Sequence, residues 1–265
     1  MKDDFNAAQP TNQFMYTPPI DLVVLPSGGK FYPETHPLYN KAEVEIYYMT
    51  TKQEDILSSD AYNKAGTVFD KLVESLLVDR SIRVESLLLG DKNAIVINAR
   101  KNAYGKDYAI KAGCISCAAD KEMVIDLDEV EPKVTSYDDV KFTENGTFVL
   151  VMPKLNAEIE LKLMTSHDEK EISNRATQKA KHSLPEEPVT DRYRQMIVSV
   201  NGDSGFQYIN DFIKNMPIAS SLFMKKRYNE IVPDLDFTYD FLCEECGYHN
   251  QGGVPITGDF FWPDI

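Results

Sequence analysis

The chain has 265 residues, with 42 acidic against 28 basic side chains and a net charge of -14. That length allows one large or two modest domains, with apolar content ample for a core. The charge works against collecting nucleic-acid phosphates or anionic lipid, no stretch approaches the roughly 20 apolar residues of a membrane span, and "MKDDFNAAQPTNQF" holds no apolar signal core. The chain therefore reads as soluble and intracellular, in a reducing compartment where thiols stay free for metal.

Residues 1–20 are polar and aperiodic, the composition of a flexible arm that orders only against a partner. "IDLVVLPSGGKFYP" is a short apolar strand broken by Pro26, Gly28 and Gly29, and "AEVEIYYM" alternates like a strand that pairs with it. Thr51 and Glu54 form a capping box for a helix that runs to about Val78, with Ile56, Leu57, Ala61, Ala65, Val68, Phe69, Leu72, Val73, Leu76 and Leu77 on one face. Asp91 caps a second helix with Ile95, Ile97 and Ala99 buried, and Gly105 stops it.

Past Tyr104 the hydrophobic period changes to two. "YAIKAGC" and "KEMVIDL" form a hairpin whose turn is the Cys114–Cys117 loop, and "TFVLVMP" with "AEIELKLM" forms another, turning at Pro153 and Asn156. Ser166 to Glu169 reads as a second capping box, opening a helix to about His182. A break at "LPEEPVT" is followed by a helix holding Tyr193, Met196, Ile197 and Val200. Two more helices follow, the last opened by Pro217 and closed by Pro233.

All four cysteines fall in two C-x-x-C pairs, Cys114/Cys117 and Cys243/Cys246. That spacing lets successive amides wrap a tetrahedral ion, and two such pairs with no cysteine left over indicate a four-thiolate structural zinc site. The long stretch between the pairs is unlike a compact zinc ribbon. A redox dithiol needs a helix N-terminus after a strand, which neither pair has. His249 stands near Cys246 but is not needed, since four thiolates already fill the tetrahedron. The site then fixes the tail beside the first hairpin. Phe260, Phe261 and Trp262 are expected to pack near it, with Pro263 limiting fraying.

No nucleotide loop, nucleophile elbow or H-E-x-x-H motif is present. "LPSGGKFY" lacks the helix start that would bind phosphate and reads as a structural turn. His167 and His182 lie on a strongly charged helix, where titratable neighbours are ordinary surface chemistry. The acidic runs "DLDEVEP" and "DEKE" are read as solvated surface. The chain is not expected to be an enzyme.

Taken in order, "LPSGGKFY", "MTTKQEDIL", "LLLGDKNAIVINARKNAYGKDY", the first C-x-x-C, "MPIASSLFMKKRYNEIVPDLDF" and the terminal C-x-x-CG, VPIT and FFWP resemble the T4-like phage baseplate hub proteins. That group is also described as baseplate hub assembly proteins or tail assembly chaperones. The likeness runs from about Leu25 to Ile265, leaving out the arm and the charged stretch 166–190. It implies a non-enzymatic virion-morphogenesis protein, in the tail baseplate and in the host cytoplasm during assembly. Other hub or tape-measure proteins would be its partners, with no membrane or nucleic acid among them. The competing reading of the cysteines alone is a zinc-ribbon nucleic-acid binder, for which basic residues are too few.

The expected fold is α+β: a mainly helical body, a small β-rich subdomain and a four-cysteine Zn2+ knuckle pair joining the C-terminal tail to it. The expected divisions are an arm at 1–20, strands and helices at 21–105, the β-rich part with the first knuckle at 106–165, helices at 166–233 and the tail at 234–265. Phe31 and Tyr32 are expected either to meet a partner, together with the arm, or to cover the first long helix.

Overall fold

The computed structural model describes residues 17–262 except 134, 136, 138, 139, 144, 255 and 257. Most of the expected arm and Pro263 lie outside the described residues. Strand β1 (Ile20–Val24) pairs antiparallel with β2 (Glu43–Tyr47), placing Val23, Val44 and Ile46 inward. The loop between them is the structural turn read from "LPSGGKFY". What locks it is a buried carboxylate. Asp91, fully buried, accepts from Ser27 N–H (3.0 Å), Ser27 Oγ (2.6 Å) and Tyr32 Oη (2.7 Å). Tyr32 Oη in turn accepts from Leu88 N–H at 3.0 Å. Burial raises the Asp91 carboxyl above its ordinary range, and the Ser27 and Tyr32 donors oppose that shift. Tyr32 is thus turned into the protein, while half-buried Phe31 packs on Tyr137 and Phe142.

The single helix expected from Thr51 to Val78 is three: α1 (Thr51–Leu57), α2 (Asp60–Lys64) and α3 (Val68–Leu76). Ser59 recaps the chain by accepting from Tyr62 N–H, and Gly66 takes a positive φ of 65° before α3. Ala61 and Ala65 are exposed; Leu57, Leu72, Val73 and Leu76 carry the burial. The capping box is Thr50 with Gln53, one residue earlier than expected. Helix α4 (Leu89–Tyr104) buries Ile95, Val96, Ile97 and Ala99, and Gly105 ends it with φ 87°. Its N-cap is Leu88, so Asp91 is not the cap but the anchor just described. Gly90 admits a close approach: a Cβ there would meet the Pro233 carbonyl oxygen at 2.3 Å.

The period-2 segments form antiparallel sheets. Strand β3 (Asp107–Gly113) pairs with β4 (Asp120–Asp126), and β5 (Thr147–Met152) with β6 (Ala157–Lys162), the turn of the second hairpin carrying Asn156 at φ 48°. Helix α5 (Ser166–Lys181) is capped by Thr165 with Asp168, again one residue before the expected box. Helix α6 (Pro188–Met196) then stops, and Ile197–Val200 is strand β7 rather than more helix. It docks on β6 with Leu161 opposite Ile197 and Ile159 opposite Val200. Steps of three and four residues suited a helix equally well; the open edge of β6 decides otherwise. Helices α7 (Phe206–Asn215) and α8 (Ile218–Ile231) follow, then β8 (Thr238–Leu242) and β9 (His249–Gly253), an antiparallel hairpin in the tail that the sequence reading did not include.

One apolar core joins α3, α4, the β5–β6–β7 sheet, α8 and the tail, with Leu72, Ile95, Phe148, Ile159, Val200 and Met224 fully enclosed or nearly so. The fold is α+β, with eight helices and small antiparallel sheets among the described residues, and no parallel βαβ sheet there. The sheets are spread along the chain instead of gathered into one β-rich part.

Candidate metal centre

Both C-x-x-C pairs sit in the turns of hairpins, and the two turns repeat one local structure. In the first, Cys114 N–H donates to the Ala119 carbonyl (2.8 Å) and Ala118 N–H to the Cys114 carbonyl (2.9 Å). In the second, Cys243 N–H donates to the Tyr248 carbonyl (2.9 Å) and Gly247 N–H to the Cys243 carbonyl (3.0 Å). The fourth residue after the first cysteine is left-handed in both, Ala118 at φ 59° and Gly247 at φ 68°. Each turn therefore presents its two sulfurs on one side.

The β3–β4 and β8–β9 turns face each other. Cys114 Sγ lies 3.6 Å from Cys246 Sγ, and Cys117 Sγ lies 3.6 Å from Cys243 Sγ. All four sulfurs are within 4.8 Å of one another. A disulfide would need about 2.0 Å, whereas a tetrahedron with metal–sulfur bonds of about 2.3 Å has edges of about 3.8 Å. The two 3.6 Å distances lie near that edge and far from a disulfide, so the cluster is compatible with a metal site. Cys114 and Cys243 are buried, Cys117 and Cys246 exposed, so the cluster opens to one side.

The two cysteines of the first turn differ in proton affinity. Hydrogen bonding from Cys117 N–H, helped by Ser116 N–H, pulls the Cys114 thiol down to about 7 despite burial. For Cys117 the Ala119 amide also favours the thiolate, but hydrogen bonding with the Cys243 and Cys246 sulfurs holds the proton, pushing it up to about 12. His249, on β9, is 3.6 Å from Asp240 Oδ1 and is not in the sulfur cluster.

The surroundings are thin. Ala112, Cys114, Phe241 and Cys243 form a small cluster separate from the main core, flanked by Ala119, Met123 and Tyr239. Lys121 and Glu244 pair across the two turns. Farther along, Lys133 N–H donates to the Asp234 carbonyl (2.9 Å) and Asp236 N–H to the Glu131 carbonyl (2.8 Å), lacing the chain after β4 to the chain before β8.

The terminal aromatics do not pack around the sulfurs. Phe260 and Phe261 are fully buried in the main core, against Tyr108, Phe237, Phe69 and Tyr104, and Trp262 is 42 % exposed. A second fastening holds them there. Arg100, 1 % exposed, donates to the carbonyls of Phe260 (2.9 Å), Gly105 (2.7 Å) and Asp107 (3.2 Å) and lies over the Tyr104 ring. Its cost of burial lowers the guanidinium's proton affinity. The sequence reading had no sign of this residue's role, because an arginine in a charged helix looks like surface.

His167 and His182 are both exposed, on the first turn and at the C-cap of α5, with no shared cluster. Among the described residues, the four cysteines are the group of His, Cys, Asp or Glu side chains placed to hold a metal. Fold and site together define an α+β protein with a solvent-open thiol cluster joining distant hairpins. The chain belongs to the family described as T4 bacteriophage base plate protein, whose model matches residues 17–262 and so runs across the stretch 166–190. The resemblance read from the ordered motifs is borne out at the level of a T4-like phage baseplate protein. No individual curated protein and no solved structure matches the chain. No helix among the described residues is long and apolar enough to cross a membrane.

Proposed function

We propose that this phage baseplate protein is a non-enzymatic component or assembly factor of the baseplate hub, contacting hub or tape-measure proteins, and that Cys114, Cys117, Cys243 and Cys246 hold one structural Zn2+. The single observation that carries the metal is the set of four sulfurs within 4.8 Å of one another, brought together from two hairpin turns far apart in the chain. Thiolate softness and four-coordination favour zinc over hard divalent ions. The ion closes a long loop and contributes free energy that exists only in the folded arrangement. Baseplate family membership supports the structural role and the virion location, with the host cytoplasm as the place of assembly. A mainly helical body with a small β-rich part to which the tail is joined by the zinc, and a separate N-terminal arm, is the organisation we assign to it.

The test is elemental analysis of protein purified without chelator, beside thermal melts of wild type and Cys243→Ser. About one zinc per wild-type chain, lost in the variant together with melting temperature, is expected. Metal-free wild type with an unchanged melt in the variant would remove the zinc. Mass spectrometry of mature particles reads the role: a stoichiometric amount marks a hub component and absence marks an assembly factor. Binding to DNA at low salt would favour the nucleic-acid reading instead.

A further inference from the structure

A two-stranded sheet has two outer edges, and in the N-terminal hairpin only one is satisfied by the described residues. The bonds from Tyr48 N–H to the Pro19 carbonyl (2.9 Å) and from Leu25 N–H to the Ala42 carbonyl (2.8 Å) bracket β1. Bonded and non-bonded pairs alternate along an antiparallel ladder. Asp21 and Val23 therefore direct N–H and C=O to β2, and Ile20, Leu22 and Val24 direct theirs outward. The outer edge of β2 is covered: the Glu45 carbonyl accepts from Val78 N–H at 3.2 Å, and Ile46 bridges Leu77. Among the described residues, none pairs with the outer edge of β1.

The same three residues are the exposed apolar face, Ile20 at 48 %, Leu22 at 54 % and Val24 at 53 %. Edge strands are ordinarily blunted by lysine, proline, a bulge or an inward charge that disfavours pairing. Strand β1 reads Ile-Asp-Leu-Val-Val, and its one charge, Asp21, is occupied by Asn102 Nδ2 of α4 at 2.7 Å. Beside the apolar stripe the register puts Glu45 opposite Leu22 and Glu43 opposite Val24, both exposed, and neither strand has a lysine or arginine.

We propose that β1 is a docking edge that takes up an extended basic segment of another protein as a third strand. β-Branched or aromatic residues of that segment would lie beside Ile20, Leu22 and Val24, with lysines or arginines reaching Glu43 and Glu45. A second copy of this chain is the poorer occupant, since pairing two β1 edges brings acidic faces together in a molecule of net charge -14. The inference rests on the assembly role proposed above, but its test reads the edge itself and can fail while that role stands.

The probe is a synthetic peptide of repeated Val-Thr-Lys-Thr, which puts valine and lysine in turn on one face of an extended strand, with glutamate in place of lysine as the control, added to the purified full chain. Amide hydrogen exchange at Ile20, Leu22 and Val24 should be fast in the free chain and slow about tenfold with the basic peptide only. Leu22→Pro removes just an outward N–H and should abolish the effect with a melt unchanged within about 2 °C. Should that variant unfold the hairpin, exposed Glu45→Lys decides, with an expected loss of about tenfold in peptide affinity. Equal protection by both peptides, or by neither, overturns the proposal. So does slow exchange in the free chain, whether it depends on protein concentration, as for a second copy, or is released by removing residues 1–16.

Discussion

The two cysteine hairpins share a turn but differ in what else holds them. Strands β3 and β4 have seven residues each, and their far end enters the main core through Tyr108 and Ile110, with Leu127 just beyond. Arg100 fixes that end by bonding the Asp107 carbonyl. Strands β8 and β9 have five residues each, and of these only Phe241 is buried. It lies in the small cluster beside the sulfurs. The first hairpin is thus rooted in the main core through its own strands, while the second is held by its sulfur tip and by the residues flanking its base, Phe237 on Phe260 and buried Val254, whose N–H donates to the Phe237 carbonyl at 2.9 Å. A metal at the tip would matter little to one and a great deal to the other. The residues after β9 return to the core at Phe260 and Phe261, so the second hairpin is suspended between two fastenings.

The largest expected effect tests that asymmetry directly. Structural zinc contributes on the order of 10 kcal/mol in small domains. Chelation of the native protein should strip hydrogen-exchange protection from 238–253 while leaving 107–112 protected. Equal loss in both hairpins would show that the first has no independent root. Next is the other fastening: Phe260→Ala should cost about 3–5 kcal/mol in denaturant unfolding, with zinc content retained. Arg100→Lys keeps the charge but cannot serve three carbonyls at once. A loss of about 2–3 kcal/mol is expected, with protection falling first at Asp107 and Phe260. Smaller still is the contrast between the turns themselves. Ala118 occupies a left-handed position that Gly247 occupies without strain, so Ala118→Gly should stabilise by about 1 kcal/mol and Gly247→Ala destabilise by a similar amount.

The Lys121–Glu244 pair should matter least. Hydrogen bonding to Lys121 lowers the Glu244 carboxyl below its ordinary range. Its contribution is therefore present above the unfolded pKa and lost as pH falls through the folded one. Both side chains are exposed, and solvent screening keeps the pair weak. Lys121→Ala should leave melting at neutral pH within error and slightly flatten the acid limb of the pH–stability curve. A large drop at neutral pH would mean the turns depend on this pair more than on the sulfurs.

The sequence by itself determined the features carried by rare residues at fixed spacing. Four cysteines in two C-x-x-C pairs have few alternatives, and alternation around them made the β3–β4 hairpin and its turn readable. Gly105, Asn156 and Pro217 marked boundaries because φ or a missing donor leaves them little choice. Where several residues offered the same local solution, only the tertiary structure decided. Thr50 with Gln53 and Thr51 with Glu54 are equally good boxes, as are Thr165 with Asp168 and Ser166 with Glu169; packing chose the earlier frame in each case. Ile197 and Val200 fit a helix or a strand until β6 supplied an edge. Asp91 and Arg100 are common residue types whose burial is set by segments 64 and 160 positions away, Ser27 and Phe260. Local pattern carries the spacing of cysteines, but the partners of a buried charge exist only once distant segments have met.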